Sequence, residues 1–299
     1  MIERRYCSLI ARDAREPLGG TASHARGCIV VAYPKRLWGR NALASEGLPK
    51  ALVDALGYAQ QRLDVITRFV AHDRTDVTEI TFYPAGMRFE SVRIEDAADV
   101  VSGYVRGTLT SGAIATRPML LVCTHGQRDR CCARFGLALT RALDACEERE
   151  HVDVREASHL GGDRFAPTVL VLPSGHMYGH LTPDDAPALL CAARGGEPLV
   201  PRFRGSLWLD PLEQLAEVAA FGLPRLGGVT PTLSSLTARE LDEARAELAF
   251  RATWGTETRE LVVRCKREHR RVHGDCHAAD SSRWGGVDAW RIEDVRTSE

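Results

Sequence analysis

The feature that most constrains this chain is one order of apolar segments that occurs twice in its first two thirds. The first occurrence has a strand-like run at 27–33 and a segment at 48–61 whose leucines recur at helical spacing. Three further strand-like runs follow at 63–70, 78–83 and 87–94, and a Pro-Ala-Gly turn joins the last two. This order predicts an α/β unit.

The second occurrence begins with a strand-like run at 119–123. The segment at 131–148 follows, with apolar residues at helical spacing and Asp129 available as an N-terminal cap. Strand-like runs at 152–157 and 168–181 come next, and a Pro-Ser-Gly turn divides the latter. Because both occurrences share one order, we predict a duplicated α/β unit.

The last third of the chain has a different pattern. We predict amphipathic helices over 204–223 and 237–250, strands over 259–265 and 287–292, and a loop between these strands. The inward face of the second helix would carry Leu241, Ala244 and Leu248. We therefore expect an α+β extension in this third.

Charge and hydropathy exclude several classes of partner. The 39 basic and 40 acidic side chains nearly cancel, so no overall field favours nucleic acid or anionic lipid. The chain has neither a long apolar run nor a secretory signal, which predicts a cytoplasmic protein with no membrane partner. In that compartment, its nine cysteines are expected to be thiols, metal ligands or redox groups rather than disulfides.

The cysteines of the second unit lie at its first turn. Cys123 ends the predicted strand, and Cys132 begins the predicted helix after eight intervening residues, in CTHGQRDRCCA. Because a strand-to-helix turn brings these ends to one sheet edge, we expect the thiols to lie close together, where the helix N-terminus favours thiolate. His159 and Asp163 follow in SHLGGDRFA, whose glycines leave room for a bulky group.

A further motif, RFAPTVLVLPSGHMYGHL, places a proline directly before a strand, a turn and a second strand. Thioredoxin-type domains carry a proline, usually cis, at this point, so Pro167 is the candidate for a cis peptide bond; the alternative is an ordinary trans proline before a strand. Together with CTHGQRDRCCA, SHLGGDRFA and RGSLW with its QLAEVA helix, this segment resembles the sucrase/ferredoxin-like family of thioredoxin-like ferredoxins. The similarity extends to YPKRLWGRNAL near the N-terminus.

This resemblance implies electron transfer through a [2Fe-2S] cluster and no sugar chemistry. The cysteine pair of the family matches Cys123 and Cys132, and the first histidine of its His-x-Gly-Gly-His pattern matches His159. The second histidine is replaced by Asp163 in this chain. Asp163 is then either the fourth ligand or a group that orients His159.

In the second case, another residue completes the site. The candidates are Cys131, His125 or a residue distant in the sequence.

The fold class that follows is α/β, with tandem thioredoxin-like domains and a C-terminal extension. Residues 1–112 would form a degenerate domain without the cluster motif, residues 113–200 the ferredoxin domain, and residues 201–299 the extension. We expect a redox carrier rather than a stand-alone enzyme. Its partner would be a redox protein such as a ferredoxin reductase.

Two other functions fit part of the pattern. The first is a thiol-disulfide oxidoreductase that uses Cys123 with Cys131 or Cys132, although the chain lacks Cys-x-x-Cys at the helix start. The second is a structural zinc scaffold, because residues 265–277 carry ligand types at zinc-like spacing. These residues, which alternate with the arginines of a polar segment, are Cys265, His269, His273, Cys276 and His277. Four other cysteines are expected to be small buried apolar residues: Cys7, Cys28, Cys146 and Cys191.

Overall fold

The computed structural model describes residues 5–109, 112–195, 198–223 and 231–298. In this part of the chain, ten strands form one mixed sheet with helices packed against it, and four more strands form a separate antiparallel sheet. The predicted α/β class with a C-terminal extension is therefore confirmed.

The large sheet contains β1 (Gly27–Pro34), β2 (Val65–His72), β3 (Val77–Tyr83), β4 (Met87–Arg93), β5 (Ala113–Ile114), β6 (Met119–Cys123), β7 (Asp153–Ala157), β8 (Val169–Leu172), β9 (His176–Tyr178) and β10 (Phe203–Ser206). The small sheet contains β11 (Thr232–Asp242), β12 (Arg245–Trp254), β13 (Glu257–Val272) and β14 (Gly285–Ser298). The α-helices are α1 (Cys7–Asp13), α2 (Lys50–Leu63), α3 (Ala97–Arg106), α4 (Leu137–Asp144), α5 (Ala186–Gly195), α6 (Pro211–Gly222) and α7 (Cys276–Asp280). A π-helical turn, Cys132–Gly136, precedes α4.

The strand order confirms the duplication that the sequence predicts. In the first half, β1 runs parallel to β2 and antiparallel to β3; in the second, β6 runs parallel to β7 and antiparallel to β8. Helices α2 and α4 connect the parallel strands of each half. The halves meet where β2 pairs with β7 in antiparallel register, so one sheet runs through both.

The central strands of both halves are buried on their two faces. Every residue of β1 and of β6 is buried, which is expected for strands covered by further structure on each side. The predicted face of α2 packs into this core through Leu52, Leu56 and Ala59. The division at residues 112 and 200 stays a prediction, and β10 continues the large sheet beyond the second of these positions.

The predicted helix over 237–250 is wrong, because β11 and β12 form a hairpin there. Burial alternates along β12 with a period of two residues. Its buried residues belong to the core cluster that β12 shares with α6: Ala246, Leu248, Phe250, Ala252 and Trp254. Sequence periodicity predicted a helix because alanine, glutamate and leucine favour helices, but packing against α6 decided the outcome.

The predicted loop between the two C-terminal strands is also wrong. Strand β13 continues through most of this polar segment to Val272, and α7 follows. Long pairing with β14 satisfies the backbone of these residues, so their charged side chains remain at the surface of a regular ladder.

The hairpin leads to a test with matched leucine variants. Leu248 is fully buried, whereas Leu241 is 42% exposed, although a helix would bury both. We expect Leu248→Ala to lower the free energy of unfolding by about 2–5 kcal/mol, because it leaves a cavity beside α6. Leu241→Ala should change it by about 0.5 kcal/mol or less. Urea unfolding measures both, and equal losses would contradict the strand assignment.

A buried acid joins β10 to α6. Glu217 accepts hydrogen bonds from the backbone N–H of Ser206 at 2.8 Å and from its hydroxyl at 2.6 Å. Burial nevertheless disfavours the charged form and raises the pKa of Glu217 to about 7, against an ordinary value of 4.5. The folded protein therefore holds this proton more tightly than the unfolded chain does.

This shift predicts how stability depends on pH. As pH rises from about 4.5 to about 7, the unfolded chain loses the Glu217 proton first, so the contribution of this group to stability falls by roughly 2–3 kcal/mol. We expect Glu217→Gln to remove that loss, measured by urea unfolding across this range. The control is Glu240→Gln at an exposed position of β11, which should leave the pH dependence of the free energy of unfolding unchanged. If Glu217→Gln and the parent chain showed the same pH dependence, the Glu217 proton would not be its cause.

Candidate metal centre

The first pair of site residues lies where β6 gives way to the π-helical turn. Cys123 is the last residue of β6, and Cys132 is the first residue of the turn. Gly136 permits this close approach, because a Cβ at this position would lie 2.1 Å from the carbonyl oxygen of Cys123. A side chain would therefore push the turn away from the strand.

The second pair, His159 and Asp163, comes from the loop that follows β7. This loop turns through Gly161 and Gly162, whose φ angles of +96° and +78° favour glycine. Arg204, which is buried, donates to the carbonyl oxygen of Gly161 at 3.1 Å and so fixes the turn. The Ala166–Pro167 peptide bond is cis, as predicted.

The two segments meet at one edge of the sheet. The ligand atoms of Cys123, Cys132 and His159 all lie within 4.8 Å of one another. The Oδ1 atom of Asp163 lies 3.5 Å from Cys132 Sγ and 3.0 Å from His159 Nδ1. We call these four residues the first group. The structure thus brings Cys123, Cys132 and His159 together, with Asp163 in contact with Cys132 and His159.

Charges in the first group depend on one another. Hydrogen bonds from the Cys132 thiol and from His159 hold the pKa of Cys123 well below that of an ordinary thiol. The hydrogen bond to Cys123, together with burial, raises the pKa of Cys132. Burial favours a neutral His159, but Asp163 and Cys123 outweigh it and raise the pKa of His159 to about 9. These mutual contacts therefore favour a deprotonated Cys123 beside a protonated His159.

His159 is the accessible member of the group. Its side chain is 29% exposed, whereas those of Cys123 and Cys132 are fully buried. Beside it lies a surface cavity of about 350 Å³, and both halves of the chain line this cavity, including Arg40 and Arg128. The centre therefore reaches solvent through the imidazole edge.

The alternative ligands of the sequence analysis lie elsewhere. His125 accepts a hydrogen bond at Nδ1 from the backbone N–H of His159 at 3.3 Å, and its ring packs against Trp38. Cys131 lies in a second group with Cys7 and Cys276, where these thiols and the Ser8 hydroxyl lower its pKa to about 4.

Other expectations about cysteine and histidine need correction. Cys191 is exposed and Cys146 half-buried, whereas Cys7 and Cys28 are buried as expected, Cys7 within the second group. The zinc-like pattern of residues 265–277 is divided: Cys265 packs in the small-sheet core, and His269 contacts Asp288 at 2.9 Å. Local spacing gives no signal for the second group, because its members are far apart in the sequence.

Comparison with known proteins gives a family model for sucrase/ferredoxin-like proteins, which matches residues 18–205. A curated relative, altered inheritance of mitochondria protein 32 from Meyerozyma guilliermondii, is 30% identical over 82 residues. The match covers 25% of this chain and 29% of that protein, so the chain spans less than a third of the relative's length.

Two solved structures of thioredoxin-like [2Fe-2S] ferredoxin from Aquifex aeolicus are also similar. Each is 20% identical to this chain, with TM-scores of 0.27 and 0.26. The first match covers 31% of this chain and 94% of the ferredoxin, and the second covers 30% and 97%. Among the described residues, no helix combines the length and hydropathy needed to cross a membrane.

Proposed function

Because the chain belongs to the sucrase/ferredoxin-like family, we propose that it is an electron carrier whose [2Fe-2S] cluster is held by the first group. The observation that carries this proposal is the convergence of two buried thiols and an imidazole from two loops at one sheet edge. A [2Fe-2S] cluster takes four protein ligands, and cysteine and histidine are its established ones.

The chemistry of the donor set fits this cofactor. Cys123 and Cys132 offer two sulfurs, and His159 offers its Nδ1 atom, which lies 3.0 Å from Asp163 Oδ1. Once the ring loses its proton, Nδ1 has a lone pair for a metal ion. Asp163 supplies the fourth donor, an oxygen that is harder than iron–sulfur clusters usually take.

The cysteine side of the first group and His159 have different roles in this proposal. The buried end of β6 and the turn at Cys132 exclude water from the sulfur side, whereas His159 leaves an imidazole edge at the surface. When bound, the cluster supplies one-electron oxidation and reduction. We infer that electrons enter and leave beside His159, because this ligand is the one that a partner can approach.

The partner that we propose is a redox protein such as a ferredoxin reductase, in the cytoplasm. Arg40 and Arg128 line the cavity beside His159, and the Arg40 side chain is 60% exposed. Such a rim favours a partner that presents carboxylates.

The alternative of thiol-disulfide exchange has one observation in its favour, the lowered pKa of Cys123 beside the Cys132 thiol. Exchange requires the attacking sulfur to reach a substrate disulfide, and both sulfurs are fully buried. Cys131 belongs to the second group and cannot substitute for Cys132 without a rearrangement of the turn. Electron transfer through a bound cluster needs no such access.

Serine variants test the cluster ligands. We expect Cys123→Ser and Cys132→Ser each to abolish iron and acid-labile sulfide and the visible charge-transfer bands, because each removes a thiolate ligand. Cys131→Ser should keep most of the iron. The matched control is Cys28→Ser, a buried thiol of β1 outside both groups, which should bind iron fully. Retention of the cluster in Cys132→Ser together with its loss in Cys131→Ser would reverse the assignment.

Variants of Asp163 test the fourth ligand. Asp163→Ala should lose most of the iron, and Asp163→Cys should regain it, because a thiolate can replace the carboxylate at iron. The added thiolate should also lower the midpoint potential, as measured by redox titration of the visible spectrum. An unaltered spectrum in Asp163→Ala would make this residue an orienting group for His159.

A further inference from the structure

The second group consists of three buried thiols that come from distant parts of the chain. Cys7 lies in α1, Cys131 lies just before the π-helical turn, and Cys276 begins α7. The Cys131 sulfur is 3.1 Å from that of Cys276 and 3.7 Å from that of Cys7, and the third separation is 3.6 Å. Their exposed fractions are 1%, 0% and 2% in sequence order.

A carboxylate completes this arrangement. Asp129 accepts hydrogen bonds from the backbone N–H groups of Cys131 and Cys276, each at 2.7 Å. It therefore holds two of the three cysteine backbones in place. Its carboxylate also lies within 4.8 Å of all three sulfurs, and each carboxylate oxygen retains lone-pair capacity beyond its hydrogen bond.

Three sulfurs and one oxygen form a donor set for a soft divalent cation. Zinc binds thiolates at about 2.3 Å in tetrahedral geometry, which separates neighbouring sulfurs by about 3.8 Å. Two of the three observed separations are close to this value, and the third needs an outward movement of well under an ångström. A Cys131–Cys276 disulfide would use the shortest separation but would leave the Cys7 sulfur without a covalent partner.

We propose that Cys7, Cys131 and Cys276 bind a zinc ion, with Asp129 as the fourth ligand. Binding releases the remaining thiol protons and forms no covalent bond between sulfurs. The ion ties α1 and α7 to the turn that carries Cys132. Hydrogen bonds already join the same segments, since Arg130 pairs with Asp280 and the backbone N–H of Arg5 donates to Asp280 at 3.1 Å. This site shares no ligand with the proposed iron–sulfur cluster.

Zinc analysis of the full chain in a Cys123→Ser background tests the site, because the first group then lacks its thiol pair. We expect one zinc per chain in this background, and the same when Cys265→Ser is added. Cys265 is a matched control, since it is buried in the small-sheet core. Adding Cys7→Ser or Cys276→Ser should abolish zinc binding. Equal zinc in all these variants, or none in the background itself, would overturn the proposal.

X-ray absorption at the zinc edge keeps the proposal testable where a variant does not fold. In the unmodified full chain, produced in cells grown with added zinc, we expect three sulfur neighbours per zinc at about 2.3 Å. Two sulfurs per zinc would instead place the ion in the first group and overturn the proposal. A disulfide-linked peptide pair containing Cys131 and Cys276, found by mass spectrometry in protein without zinc, would overturn it as well.

Discussion

The antiparallel pairing of β2 with β7 is the constraint on which the rest of the structure depends. At this junction, the backbone N–H of Ser158 donates to the carbonyl oxygen of Phe69 at 2.8 Å, and the Ser158 hydroxyl accepts from the Phe69 N–H at 2.9 Å. Ser158 immediately precedes His159. The first half of the chain thus holds the loop that carries His159, and the sheet shared by both halves aligns the candidate metal centre.

The duplication also explains why only one half carries the first group. Where the second half has its cysteine turn, the first half has Tyr33-Pro34-Lys35-Arg36-Leu37-Trp38-Gly39. Trp38 is buried there, donates from its indole to the Tyr33 carbonyl oxygen at 3.0 Å, and packs against His125 of the other half. The turn of the first half therefore contributes a buried aromatic ring that contacts His125, the residue that accepts a hydrogen bond from the His159 backbone.

Sequence reasoning succeeded where local pattern and chain topology agree. Strand-to-helix order predicts both α/β units and the proximity of Cys123 to Cys132, and the family resemblance indicates cis Pro167 and the approach of His159 and Asp163 to these cysteines. It failed at 237–250, where helix-favouring residues pack as a strand on α6. It also missed the second group, because Cys7 and Cys276 are 269 residues apart and no periodicity links such positions. Contacts of that range are decided by tertiary packing alone.

Cys131 and Cys132 are adjacent in the sequence, yet their sulfurs belong to different groups. A single peptide unit therefore lies between the two proposed centres. If occupancy of one centre shifts this unit, the two metal affinities are thermodynamically linked, and each changes the other by the same factor. Through the adjacent Cys131 and Cys132, metal binding at one centre then raises or lowers the metal affinity of the other.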